Sequence, residues 1–239
     1  MSFNIEEKKM TLARRRVLKF AMASTALATL SACGAGGMGG LATGMMGGGG
    51  GKSWGEIAKS FKSLMNEAVA GVAETQESIA MVAEALGLKQ EAATLRGEAK
   101  NIRDKGTSFG TSDLDESINA ANDGLGRINE KMAQARNLSA GEKKKIGDAL
   151  ANYAPAALKV GLTGVNFLVN ISDAGSAGTP NIATDGPEII SAFKDIPTKG
   201  PAIVKFAKLT VQGYKDLRAV AKENDIAVPA TDELDALEI

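Results

Sequence analysis

Apolar residues recur at intervals of three or four from residue 53 onward, and this spacing restricts the chain to helices that share a core. The most regular run alternates spacings of four and three: Leu114, Ile118, Ala121, Leu125, Ile128, Met132 and Ala135. Such a run is the heptad pattern by which helices pack in left-handed bundles. Alternation with period two, which is typical of strands, is almost absent. The sequence therefore predicts an all-α protein.

Capping signals divide this region into separate helices. Three pairs have the spacing at which a serine and an acidic residue cap a helix start: Ser53 with Glu56, Ser112 with Asp115, and Ser139 with Glu142. Gly87 and Gly106 have the position of residues that end a helix. The sequence thus predicts a first helix from 53 to 86, a second that stops at Gly106, and further helices after Ser112 and Ser139.

Prolines and a polar loop divide the C-terminal half of the chain. Pro155 predicts a kink or break in the fourth helix. Residues 156–171 after it are strongly hydrophobic but too short to span a bilayer, so they are predicted to form a central helix buried on most sides rather than to insert in a membrane. Residues 172–186 are predicted to form the longest loop. A short helix is predicted over 187–195, and another helix is predicted to begin near Pro201. Pro229 ends the helical pattern. Four main helices with short helices between them predict a mostly antiparallel bundle around one core.

The first 33 residues have the layout of a secretory signal. Basic residues come first, an uncharged and mostly apolar segment follows over 20–30, and small residues precede Cys33, the only cysteine of the chain. The segment is shorter than the roughly 20 residues that a helix needs to span a bilayer. We therefore expect an export signal rather than a permanent transmembrane helix.

The end of this segment resembles the bacterial lipobox at every position: Leu30, Ser31, Ala32 and Cys33. The resemblance implies transfer of diacylglycerol to the Cys33 thiol, cleavage before Cys33 and acylation, including palmitate, that anchors the chain in the lipid bilayer. A second acyl chain makes such anchoring stable. Gly34 follows the cysteine, and in a Gram-negative envelope this favours the periplasmic face of the outer membrane. The alternative is a buried structural cysteine that happens to follow a signal.

The basic part also resembles the twin-arginine export motif at four positions: Arg14, Arg15, Leu18 and Lys19. Ala13 and Val17 depart from that motif. General secretory signals also require basic residues. Both export routes therefore stay open.

The sequence predicts four segments. Residues 1–32 form a signal peptide that is removed, and residues 33–52 comprise the lipidated cysteine and a flexible linker rich in Gly and Met. Residues 53–226 form the helical bundle domain, and residues 227–239 form an acidic C-terminal tail that we expect to be solvated.

Histidine is absent from the chain, and this excludes most common catalytic machinery. Ser-His-Asp and Cys-His catalysis, His-ligated haem and nearly all zinc sites require it. No cluster of other metal ligands is evident, so no catalytic residues, metal or cofactor are expected. The one basic run outside the predicted signal peptide, Lys143 to Lys145, lies among acidic residues, and nucleic acid is therefore not an expected partner.

These features predict a non-catalytic periplasmic lipoprotein whose helical bundle serves as an interaction or structural module for an envelope protein partner. An alternative is a protein that binds an apolar small molecule or lipid in a cavity between helices. Its contacts would come from four residues of the most hydrophobic stretch: Lys159, Asn166, Phe167 and Asn170. The same polar residues also fit helix surface or satisfied core positions. An enzyme with paired carboxylates is a third hypothesis, but no acidic residue stands in an apolar context.

Overall fold

In the computed structural model, residues 52–134, 138–181 and 185–239 are described, and they form helices without any strand. Five helices are long and one is short: α1 (Trp54–Ala85), α2 (Lys89–Lys105), α3 (Thr111–Gln134), α4 (Ala140–Ser176), α5 (Pro187–Glu223) and α6 (Asp232–Ala236). A 3₁₀ turn, Gly106–Ser108, joins α2 to α3. The all-α prediction is confirmed, with one more long helix than expected.

Several predictions lie outside the described residues. They concern the lipidation site and the export signal: Cys33, Arg14, Arg15, Leu18, Lys19, Leu30, Ser31 and Ala32. The Gly-rich stretch 34–51 and Ala135, at the end of the heptad run, also lie outside them. These predictions stay predictions.

The start of α1 and the ends of α1 and α2 lie where the sequence predicts them. The Ser53 backbone N–H donates to the Glu56 carboxylate at 2.9 Å, and the Glu56 N–H donates to Ser53 Oγ at 3.4 Å, which is the reciprocal capping box. Ser139 and Glu142 form the same box at the start of α4. Gly87 follows α1 with a φ of 77°, a left-handed conformation that favours glycine.

The predicted cap of α3 is wrong by two residues. The helix begins at Thr111, before Ser112. The Gly110 backbone N–H donates to the Asp113 carboxylate at 2.8 Å. Gly110 and Asp113 have the same separation as the two members of a capping pair, so this arrangement replaces the one predicted from Ser112 and Asp115.

The prolines do not divide the C-terminal half as predicted. The helix α4 continues through Pro155 to Ser176, so the loop predicted over 172–186 is shorter. The two helices predicted after it are the single helix α5, which contains Pro197 and Pro201. All three prolines lie on exposed faces of their helices, while the opposite faces are buried in the core. Each proline removes one backbone hydrogen bond, and the buried contacts on either side hold the helix together.

The long helices pack in a mostly antiparallel way. Near one end of the α1–α4 pair, Asn170 Nδ2 donates to the Ile57 carbonyl at 3.3 Å. Near the other end, Ser78 Oγ lies 3.5 Å from the Asn152 carbonyl. Residue numbers rise in one helix as they fall in the other, so α1 and α4 are antiparallel.

The helix α5 joins both halves of the bundle. It is antiparallel to α4, because Tyr153 contacts Thr210 whereas Ile171 contacts Gly200. It is parallel to α3, where Leu125 contacts Gly213 and Met132 contacts Asn224 further along both helices. In the core, α1 and α5 therefore lie between the α2–α3 pair on one side and α4 on the other.

The hydrophobic stretch 156–171 occupies the centre of α4, which makes its most extensive contacts with α1 and α5. Among the described residues α4 is the one helix whose length and hydropathy would let it cross a membrane, and half of its most apolar window is buried in the bundle. Phe167 is fully buried and meets Phe61 edge to face at 6.0 Å between ring centroids. The prediction of a helix buried on most sides is therefore correct for one face of α4 only.

The acidic tail is only partly solvated, contrary to the prediction. Its acidic residues are exposed, but Leu234 is only 1% exposed. Leu237 and Ile239 are partly buried against the core. The apolar residues that alternate with the acids attach the tail to the bundle.

Candidate functional site

The four residues predicted to contact an apolar ligand do not line one cavity. Lys159 Nζ lies 2.9 Å from both carboxylate oxygens of Glu74, at the outer edge of the α1–α4 interface. Phe167 and Asn170 are buried inside that interface, and Asn166 is partly buried on α4. The structure brings Phe167 and Asn170 together but leaves Lys159 in an ion pair at the surface.

A cleft of about 230 Å³ lies elsewhere, between α1 and α5. Its apolar wall is formed by Ala58, Phe61 and Met65, and its rim carries charged residues such as Glu188 and Lys199. Small-molecule sites typically occupy about 300–1,000 Å³. The cleft is smaller than that range, and it contains none of the four predicted residues.

The outer face of α4 carries a second apolar seam, which we call the α4 outer stripe. Its six residues are Ala151, Pro155, Leu158, Leu162, Val165 and Val169. They alternate spacings of four and three, which is the pattern of a helix–helix seam. None of them is buried, and Leu162 is 45% exposed. Ala151, Pro155 and Leu162 are exposed, whereas Leu158 packs in part against the core. The stripe extends about 27 Å at 1.5 Å per residue.

The sequence contained the signal for this stripe, but our interpretation of residues 156–171 missed it. The same stretch carries a first seam through Tyr153, Val160 and Phe167, which faces the core. A helix with two apolar seams is hydrophobic nearly all round, and we therefore expected burial on most sides. The structure buries one seam and exposes the other.

The charged residues that adjoin the α4 outer stripe are both acidic and basic, and they are neutralised in ion pairs. Lys144 pairs with Asp148 at 2.6 Å near the start of α4, and Lys159 pairs with Glu74 halfway along it. Helices that lie on lipid typically carry a polar face rich in Lys and Arg. A stripe bordered by neutralised charges is better suited to a protein surface than to a lipid surface.

The N-terminal segment joins the bundle at the C-terminal end of α4. Lys52 Nζ lies 2.8 Å from the Asp173 carboxylate, and Trp54 Nε1 donates to the Gly178 carbonyl at 3.0 Å. The Trp54 ring also meets Phe193 edge to face at 5.4 Å. The α4 outer stripe therefore ends near Lys52 and Trp54 at the start of α1.

The carboxylates with shifted pKa values accept hydrogen bonds at helix caps or form ion pairs. Hydrogen bonds from Ser53 and Ser139 lower the pKa of the Glu56 and Glu142 carboxyls. Guanidinium and ammonium partners lower the pKa of three further carboxyls: Glu77 beside Arg103, Asp113 beside Lys105, and Asp235 beside Arg218. A general acid needs a raised pKa, whereas these shifts favour the charged form.

Two further kinds of reactive group are metal ligands and buried hydroxyls. Within the described part of the chain, no three Asp, Glu, Cys or His residues lie close enough to hold a metal ion. Burial raises the pKa of the Tyr153 hydroxyl, which donates to the Thr210 carbonyl at 3.0 Å inside the core. The buried tyrosine therefore acts as a structural hydrogen-bond donor.

Comparison with protein-family models, with curated proteins and with solved structures finds no match for this chain. Evidence for a function therefore comes from the geometry of the bundle and from the sequence features described above. The described residues form a helical bundle whose central helix leaves one apolar seam partly exposed. The α4 outer stripe is the candidate functional site.

Proposed function

We propose that the protein is a lipid-anchored, non-catalytic protein of the cell envelope whose helical bundle docks on an envelope protein. The observation that carries this proposal is the α4 outer stripe, an exposed seam with the spacing of a helix–helix interface. The lipobox resemblance supplies the anchor, an acylated Cys33 in the bilayer. In a Gram-negative cell the location is the periplasmic face of the outer membrane.

The partner surface is a helix with an apolar seam of its own. Burial of one exposed Leu or Val side chain contributes roughly 1.5–3 kcal/mol. Association costs an estimated 4–15 kcal/mol in lost freedom, so six aliphatic residues give a modest affinity by themselves. Anchoring both proteins to one membrane raises their effective concentration and offsets part of that cost. The anchor and the stripe therefore act together.

An apolar ligand in a cavity between helices has less support. Lys159 is paired with Glu74, and Asn170 Nδ2 donates to the Ile57 carbonyl, although the buried Asn170 Oδ1 atom accepts no hydrogen bond from a described residue. Phe167 packs against Phe61. The cleft between α1 and α5 is small, and charged residues border it.

The test is photo-crosslinking in intact cells. A photoreactive amino acid replaces Leu162 in the stripe, and the matched control carries it at Thr94, an exposed position on α2. We expect one envelope protein to be captured from position 162 and not from position 94. The capture must disappear when Pro155 and Val165 are both replaced by Glu. Equal capture from both positions, or capture that survives these replacements, would contradict docking through the stripe.

The anchor is tested separately. Labelled palmitate should be incorporated into the full-length protein and should be absent from Cys33→Ala. Incorporation that persists in Cys33→Ala would contradict the anchor but not the stripe, so the two parts of the proposal fail independently.

A further inference from the structure

The α4 outer stripe has the same pattern of spacings in both directions along the helix. From Ala151 to Val169 the six residues are separated by intervals of four, three, four, three and four. Two identical seams with this property can therefore face each other in antiparallel orientation. Each residue of one copy then faces the residue at the same distance from the opposite end of the other copy.

This antiparallel arrangement matches the facing side chains in size. From the centre of the seam outward, the facing pairs are Leu158 with Leu162, Pro155 with Val165, and Ala151 with Val169. Each pair occurs twice, because the two copies are related by a two-fold axis and use the same surface. Alanine, the smallest member, faces a larger side chain, and such alternation lets facing layers interdigitate.

One flank of the stripe is complementary to itself in charge. It consists of residues seven apart: Lys145, Asn152, Lys159, Asn166 and Asp173. The antiparallel arrangement places Lys145 of each copy opposite Asp173 of the other copy, and Asn152 opposite Asn166. Lys145 is exposed, and the Asp173 side chain keeps 25% exposure beside Lys52. Charged residues at these flanking positions set the partner and the orientation of paired helices.

The centre of this flank is also compatible with pairing of two copies. Lys159 lies beside the two-fold axis and faces Lys159 of the other copy. Both oxygens of the Glu74 carboxylate lie 2.9 Å from Lys159 Nζ within the same copy. The two lysines are therefore neutralised before the copies meet, and no like charge is left unpaired at the axis.

The size of the seam determines how tightly two copies associate. Standard interfaces bury about 800 Å² on each partner. A seam about 27 Å long and one helix wide buries less than that. We therefore expect weak association in dilute solution. Anchoring in one membrane raises the effective concentration of the copies and favours the pair.

We infer that the protein that docks on the α4 outer stripe is a second copy of this chain, bound in antiparallel orientation as a two-fold symmetric dimer. This inference rests on the proposed function, because it names the partner of the same surface. It has an outcome of its own: photo-crosslinking from position 162 captures the chain itself, as a product of twice its mass.

Formation of disulfides between copies in intact cells tests the orientation. Two differently tagged full-length chains are expressed together, one with Ala151→Cys and the other with Val169→Cys, and a thiol oxidant is added. The antiparallel arrangement brings these positions opposite each other, within the roughly 7 Å between Cα atoms that a disulfide allows. The matched control is a pair of tagged chains that both carry Ala151→Cys, because these cysteines lie about 27 Å apart. Chains without the new cysteines control for Cys33.

We expect a disulfide between the two tags in the mixed pair and none in the matched control. Lys145→Glu should lower the yield of the mixed disulfide at least about three-fold, because two attractive charge pairs become repulsive. Lys145→Glu together with Asp173→Lys restores opposite charges and should recover the yield. Lys131→Glu, at an exposed position on α3, is the control substitution and should leave the yield unchanged.

The outcomes distinguish this inference from the proposed function. Capture of a different protein from position 162 would overturn the dimer and leave the proposed function standing, whereas capture of no protein would overturn both. Circular dichroism establishes that the variants retain their helices. With the helices retained, a disulfide in the matched control, its absence in the mixed pair, or a yield that Lys145→Glu does not change would each overturn the antiparallel dimer.

Discussion

Gly164 of α4 lies directly against Ala207 of α5: a Cβ atom at Gly164 would be 2.5 Å from the Ala207 Cβ atom. A Cβ atom is fixed to the backbone, so the contact is relieved only if the helices move apart. Neighbouring contacts repeat this theme, since Gly200 of α5 lies against Ile171 of α4. Small residues therefore set the distance between the two longest helices.

Gly164→Ala should lower the free energy of unfolding by about 1–3 kcal/mol, because overpacking a rigid contact displaces backbone. Ala207→Gly in the same chain should recover part of that loss through a favourable coupling between the two sites. Urea denaturation of the single and double variants measures the coupling. Gly126→Ala on α3 is the control: a Cβ atom there meets nothing within 4 Å, so stability should rise by about 0.5–1 kcal/mol.

The start of α3 gives a prediction that separates two capping residues. Asp113 accepts the hydrogen bond from the Gly110 N–H, whereas Ser112 is exposed in the first turn. Asp113→Ala should therefore lower the free energy of unfolding by about 0.5–2 kcal/mol, and Ser112→Ala should change it by less than about 0.5 kcal/mol. If urea denaturation showed a larger loss for Ser112→Ala than for Asp113→Ala, Ser112 would be the capping residue.

Stability should be nearly constant between about pH 6 and pH 8, because the chain contains no histidine to titrate there. The folded-state pKa values of Glu56, Glu77, Asp113, Glu142 and Asp235 lie below their ordinary values of 4.5 for Glu and 3.8 for Asp. A lowered folded-state pKa contributes stability above the unfolded-state pKa, and that contribution is lost as the pH falls through the folded-state value. Unfolding free energies should therefore decline below about pH 4.5.

Glu142→Gln tests the origin of that decline. The Glu142 carboxylate accepts hydrogen bonds from the Ser139 backbone N–H and hydroxyl, and these bonds lower its pKa. The variant should lose stability at pH 7 and should show a shallower decline in acid than the unmodified protein. Parallel pH profiles in urea denaturation would show that this cap does not contribute to acid sensitivity.

The sequence predicted those parts of the fold that local signals determine. Ser53 and Ser139 begin helices because their side chains satisfy free N–H groups within three residues, and Gly87 ends one because it adopts a positive φ. The heptad run from Leu114 to Met132 is buried because its spacing matches the helical period.

The errors arose where distant contacts decide the outcome. A proline weakens a helix locally, but Pro155 and Pro197 lie on exposed faces whose opposite sides are held by the core. The tail appeared solvated because its acids dominate the composition, whereas the groove that holds Leu237 is formed by residues of α4 and α5 far away in sequence. The α4 outer stripe was missed for a related reason: apolar spacing shows that a face is hydrophobic and does not show whether another helix covers it.

The α4 outer stripe should tolerate substitutions that the core does not. Leu162 is 45% exposed, so Leu162→Ser should change the free energy of unfolding by less than about 0.5 kcal/mol. Leu150 lies on the buried face of the same helix at 0% exposure, and Leu150→Ala should cost about 2–5 kcal/mol. Urea denaturation of the two variants makes the comparison. A cost of more than about 1.5 kcal/mol for Leu162→Ser would mean that this side chain already packs within the protein, and the stripe would then lack the free apolar surface on which docking depends.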